Sequence, residues 1–328
     1  MSHPLRYPTT ALLAFSLVLL PLGQEALARI RDRLASASSV SRRPDVAEVR
    51  YGPFDRNVLD LWLPPGPKVG PPRPAPVAVF FHGGGFLGGD KSSVPAWLIR
   101  RCRERGIAVA SANYRLSRQA PYPAPMIDGA RAVQYLREHA AELGLDGGRV
   151  AGCGDSAGAG IALWLGFHAD LADPTSANPA ARRSSRPTCL AVIGAQTSYD
   201  PRFIRARVGG KAHEHVAIRP FFGLKDDAPL DDPSMASLYA DASPINHVGP
   251  GAPPAFLAYS EPPGRLPDDA ERGRGIHSPE FGVALKERLD SLGVECVLVH
   301  DDDYRGAIGP DDGVPRDLVA FLARHLGR

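Results

Sequence analysis

The sequence predicts an α/β protein with a mostly parallel central sheet flanked by helices and a cap or insertion over one end. Three observations carry that prediction. From about residue 47, short β-rich runs alternate with helical stretches, the pattern of a parallel sheet covered by helices. The run Val77 to Phe81 is apolar throughout, as a strand buried on both faces must be. Ile127, Ala130, Val133, Leu136, Ala140 and Leu143 recur every three or four residues, the apolar face of one helix.

The elements follow in order. Val58 to Leu63 reads as a strand ended by Pro64-Pro65-Gly66. After the strand 77–81 comes a glycine cluster, then a helix over Trp97 to Arg105 and a strand over Ile107 to Ala112. The periodic helix leads into a short strand, Arg149 to Cys153, and the small residues Ala157 to Gly160 open the next helix. Leu190 to Ala195, Pro254 to Tyr259 and Val294 to Val299 complete the strands. A helix containing Leu285 and Leu289 precedes the last strand, and a helix starting at Pro315 closes the chain. Residues 200–253 mix charges, prolines and Phe221-Phe222 without periodicity, which suits a cap over a site better than a sheet element.

At 328 residues the chain is long enough for two domains at roughly 150 residues each, yet a single α/β domain also reaches this size. The order of elements favours one domain over residues 46–328, with a cap at about 200–253. The 38 basic and 36 acidic residues leave a formal charge of +2, too small a field to hold nucleic acid. Arg6, the apolar run Ala11 to Leu22 and the small residues Ala26 and Ala28 fit a cleaved secretory signal over residues 1–28. Residues 29–45 read as a polar leader. Pro21 and Gly23 interrupt the apolar run, and no later stretch is long enough to span a bilayer, so the mature chain is expected to be secreted or periplasmic without a membrane span. Cys102, Cys153, Cys189 and Cys296 are scattered in apolar segments, which favours buried free thiols over a disulfide framework.

Two motifs carry chemistry. Gly154-Asp155-Ser156-Ala157-Gly158 lies between a predicted strand and a predicted helix, where a strained turn exposes the serine hydroxyl and the helix start faces developing negative charge. His82-Gly83-Gly84-Gly85 follows the buried strand directly, and successive glycine amides can approach a substrate oxygen without obstruction. The acidic turn Asp301 to Asp303 with Asp311 and Asp312 lacks the spacing of a calcium loop.

With Phe81 to Phe86 and Asn113-Tyr114-Arg115-Leu116, these motifs resemble the α/β-hydrolase fold in its hormone-sensitive-lipase-like carboxylesterase branch. The resemblance implies carboxylic ester hydrolysis through an acyl-enzyme, with Ser156 as nucleophile, the amides of Gly84, Gly85 and Ala157 as oxyanion hole, and no metal or organic cofactor. The expected partner is a small-molecule ester, with an acylated carbohydrate favoured by export. Where the family carries an acid after the strand 254–259, this chain has Glu261, and a carboxylate of either length can orient a histidine. Where the family carries its histidine, this chain places Tyr304, a poor base at neutral pH. The bases left in chain order are His300 first and His277 as the alternative, while His325 falls on the apolar face of the terminal helix. Tyr304 also motivates a rival reading, a non-catalytic relative that keeps the fold and binds a ligand. A peptidase on the same fold is a third.

Overall fold

Among the described residues, eight strands form one sheet in the order β1-β2-β4-β3-β5-β6-β7-β8, and everything from β3 onward runs parallel. The computed structural model describes residues 43–66, 73–305 and 312–327. The expected signal and nearly all of the leader lie outside them. The strands are β1 (Val46–Arg50), β2 (Val58–Trp62), β3 (Ala75–Phe81), β4 (Ala108–Ala112), β5 (Leu145–Asp155), β6 (Cys189–Ile193), β7 (Ala255–Tyr259) and β8 (Cys296–His300). β1 and β2 add an antiparallel edge that the sequence reading did not resolve, with β2 paired antiparallel to both β1 and β4.

β3 is buried along its whole length because both its faces are covered. Val77, Val79 and Phe81 enter the core beneath α2 (Ala124–Glu138), α3 (Ala157–Phe167) and α7 (Pro279–Asp290). Ala78 and Phe80 enter a second core beneath α1 (Ala96–Glu104) and α8 (Val314–His325). This two-residue alternation, with an apolar side chain required on each face, is why the strand has no polar position. α3 is apolar all round and every residue in it is buried.

Between β6 and β7 the chain forms three short helices, α4 (Pro201–Arg207), α5 (Ile218–Phe221) and α6 (Ala236–Ala242), joined by single 3₁₀ turns. They occupy the region read as a cap. All four cysteines are buried and free, and burial pushes the Cys102 and Cys189 thiols up to about 12. Among the described residues no helix is long and apolar enough to cross a membrane.

Candidate active site

Ser156 is the first residue after β5 and caps α3. Its backbone sits at φ 49° and ψ −119°, a left-handed value that a side chain adopts only under strain. The sheet imposes this turn: the Ser156 N–H still donates to the Ile193 carbonyl of β6 at 2.9 Å, while the Gly160 N–H already donates to the Ser156 carbonyl at 3.1 Å. The chain passes from strand to helix within one residue, so α3 must lie hard against β3. A Cβ at Gly158 would stand 2.0 Å from the Phe81 carbonyl oxygen, which is why small residues open this helix.

The glycine loop is anchored from several sides. His82 is fully buried, stacks on Tyr114 with ring centroids 4.3 Å apart, and its carbonyl accepts the Tyr114 hydroxyl at 2.6 Å. The His82 Nδ1 lies 2.8 Å from the Gly83 carbonyl and so carries the proton, which leaves Nε2 to accept from the Arg56 guanidinium at 3.1 Å. Burial, reinforced by Arg56, pushes this imidazole down to about 4, so it is neutral at pH 7 and structural. The Gly83 N–H donates to Asp155 Oδ1 at 3.0 Å, which ties the loop to the serine turn, and burial raises the Asp155 carboxyl above its ordinary range. Gly84 has φ +109°, and a Cβ there would meet the Gly88 carbonyl oxygen at 2.4 Å.

The histidine that reaches Ser156 is His277. Its Nε2 lies 2.8 Å from the Ser156 hydroxyl oxygen. His300, the base expected first, is elsewhere: it ends β8, and its Nε2–H donates to the Glu261 carbonyl at 2.9 Å. Sheet order explains the correction. β7 lies two strands from β5 and β8 lies three, so at about 4.8 Å per strand the loop after β7 starts nearer Ser156. That loop, residues 260–278, is long enough to fold back over the carboxyl ends of the strands. Tyr304, in the aligned position, points to the terminal helix and donates its hydroxyl to Asp317 at 3.0 Å.

Glu261 holds the histidine loop through its backbone. Its carboxylate accepts the Gly275 N–H at 2.8 Å and the His277 N–H at 3.1 Å, and Oε1 lies 3.7 Å from His277 Nδ1. Gln196, which the sequence reading missed, donates its side-chain amide to the Ile276 carbonyl and steadies the same loop. No local pattern marks it, because its role exists only once β6 and the 260–278 loop are adjacent.

Gly84, Gly85 and Ala157 line, with Ser156 and His277, a cavity of about 500 Å³. Its remaining wall is mostly apolar, with Phe86, Tyr199, Ile218, Phe221 and Phe281 among the contributors. Phe86 stacks on Phe221 at 4.4 Å, so the cap segment packs directly onto the glycine loop. His215, from the same segment, is also at the cavity, and burial lowers its imidazole below the ordinary range. The arrangement offers a hydroxyl, an imidazole within hydrogen-bond reach of it, and backbone amides around one apolar cavity.

The family model described as BD-FAE matches residues 59–264, a span that includes both glycine motifs. The chain belongs to the BD-FAE family. This BD-FAE chain is 29% identical over 275 residues to the esterase LipQ of Mycobacterium tuberculosis, an alignment covering 81% of this chain and 60% of LipQ. It is 37% identical over 150 residues to the carboxylic ester hydrolase LipN of the same organism, covering 42% of this chain and 39% of LipN. The chain thus spans well under the full length of these relatives. In fold it is similar to a truncated carbohydrate esterase from gut microbiota, at TM-score 0.65 and 18% identity over 86% of this chain and 96% of that one. It is similar also to the propionate-bound esterase 2 of Thermogutta terrifontis, at TM-score 0.59 and 20% identity over 86% of this chain and 94% of that one. The BD-FAE chain therefore has the α/β-hydrolase fold.

Proposed function

We propose that this protein hydrolyses carboxylic esters through an acyl-enzyme on Ser156. The observation that carries the proposal is the 2.8 Å approach of His277 Nε2 to a serine hydroxyl held on a strained strand-to-helix turn. His277 takes the hydroxyl proton as Ser156 attacks the ester carbonyl, and the oxygen that becomes negative is met by the amides of Gly84, Gly85 and Ala157. The protonated His277 then gives its proton to the departing alkoxide, and Glu261 stabilises the imidazolium while fixing the loop. Water, activated by the same imidazole, attacks the acyl-enzyme and releases the acid. The apolar cavity wall suits a short or medium aliphatic or aromatic acyl group better than a charged one.

Two finer points belong to the same reading. Export is supported by the charge, apolar run and small-residue site of residues 1–28. An acylated carbohydrate as substrate is supported by that export and by the likeness in fold to a carbohydrate esterase. The approach of His277 to Ser156 supports catalysis over the non-catalytic reading that Tyr304 motivates.

The test is labelling of the purified chain with a fluorophosphonate, followed by turnover of a panel of acetyl, butyryl and acetylated-sugar esters and peptides. Labelling of wild type and His300→Ala, with none in Ser156→Ala and little in His277→Ala, is the expected result. A folded wild type that stays unlabelled refutes the reading, and turnover of peptides but no esters makes the protein a peptidase.

A further inference from the structure

At the far end of α3 from Ser156, three side chains come together that the ester chemistry does not use. His168 follows the last residue of the helix, Asp241 lies in α6, and His247 ends the 3₁₀ turn Pro244–His247. One ligand atom from each lies within 4.8 Å of the other two. We infer that His168, Asp241 and His247 form a divalent transition-metal site, best suited to zinc, that clasps the end of α3 to the segment between β6 and β7.

The protonation pattern is the first argument. His168 Nδ1 lies 3.0 Å from the Ala169 carbonyl, and a carbonyl only accepts, so Nδ1 carries the proton and Nε2 holds the lone pair. That Nε2 faces the Asp241 carboxylate, 3.6 Å from Oδ1. Two ligands on a tetrahedral zinc at about 2.1 Å stand about 3.4 Å apart, so this pair is already near its bound spacing. His247 Nε2 lies 2.7 Å from the Asp241 carbonyl, which fixes its proton in the same way and leaves its other nitrogen with a lone pair. An imidazole that gives one N–H to a carbonyl and keeps a lone pair for an ion is the usual outer arrangement of a metal-bound histidine.

The carboxylate is held in a matching way. Its second oxygen, Oδ2, accepts the Tyr122 hydroxyl at 2.5 Å, and the Asp241 carbonyl also accepts the Trp164 indole N–H at 3.0 Å. Asp241 Oδ1 is the oxygen turned toward His168. Two imidazoles and a carboxylate suit zinc better than calcium or magnesium, which prefer oxygen ligands throughout. The fourth position falls to water, since the Asp241 side chain is half exposed.

The site is structural for this fold. α3 has 11 residues, so at about 1.5 Å per residue its two ends are about 17 Å apart, and an ion at His168 touches no reacting atom. What it joins is the helix that starts at Ser156 and the chain that runs from the cavity wall to β7.

Trp164 supplies a reporter, because its indole stacks on the His168 ring with centroids 3.9 Å apart. The full chain, stripped with a chelator, is titrated with zinc by calorimetry and with copper(II) while tryptophan emission is followed. The expected result is one zinc per chain at micromolar protein, a rise in Tm of roughly 4 °C at a hundredfold excess over Kd, and quenching of Trp164 emission by copper. His168→Gln and His247→Gln each weaken zinc at least about tenfold, while Asp241→Asn keeps the acceptor for Tyr122 and still loses affinity. Metal-free Tm values for the three variants show that they fold. Zinc binding unchanged in His168→Gln and Asp241→Asn overturns the inference, as does a wild type that binds no zinc at millimolar concentration.

Discussion

Acid should loosen the glycine loop, and His82 sets the pH range over which this happens. The imidazole is fully buried, donates to the Gly83 carbonyl and accepts from Arg56, an arrangement that only the neutral ring satisfies. Its ordinary value is 6.5, and burial pushes it down to about 4 in the folded protein. As the pH falls, the unfolded chain takes up this proton first, so stability is complete above 6.5 and drains away as the pH falls toward 4. At about 1.4 kcal/mol per unit, the loss between pH 7.5 and 4.5 is about 2.5 kcal/mol from this one group. The assay is urea unfolding at the two pH values for wild type and His82→Gln. Losing the stack on Tyr114 lowers the variant's stability at both pH values, so the informative quantity is the difference between them. Wild type should lose about 2.5 kcal/mol more than the variant over this interval. Equal losses in the two proteins refute the assignment of His82 as a buried neutral ring.

Gly158→Ala places a Cβ 2.0 Å from the Phe81 carbonyl oxygen, with backbone on both sides of the clash. It should cost at least about 4 kcal/mol in thermal or denaturant unfolding, or yield no soluble protein. Asp128 is fully buried and receives Arg115 at 2.7 and 2.8 Å and Arg131 at 3.1 Å. Asp128→Ala strands the Arg115 charge and should cost about 3–5 kcal/mol in the same measurement. Glu261→Gln removes a negative charge 3.7 Å from His277 Nδ1. It should lower kcat on a p-nitrophenyl ester by about 10³-fold with little change in KM, as a charge at that distance implies at an effective dielectric near 20. Tyr304→Phe loses only the bond to Asp317, so unfolding should shift by about 1 kcal/mol and ester turnover should stay at the wild-type value.

Much of this protein is written locally. The apolar run of β3, the three-to-four-residue period of α2 and the small residues opening α3 each follow from how a strand or helix must bury its neighbours, and those rules act within a few residues. The two glycine motifs are legible for the same reason: a strained turn and a bare amide surface need particular residues at fixed spacing. The base and the acid have no such local necessity. His277 lies on a loop whose path depends on β7 standing beside β6 and β6 beside β5, and Glu261 matters because two amides of that loop fold onto its carboxylate. Counting along the chain from the last strand points to Tyr304 and His300, because distance in sequence says nothing about which strand edge a loop must cross. The same holds for β1 and β2, whose antiparallel pairing is decided by an open sheet edge beyond β4, and for His168, Asp241 and His247. What one stretch of chain must bury is determined by its own residues, whereas which stretches meet is decided by the order of the strands in the sheet.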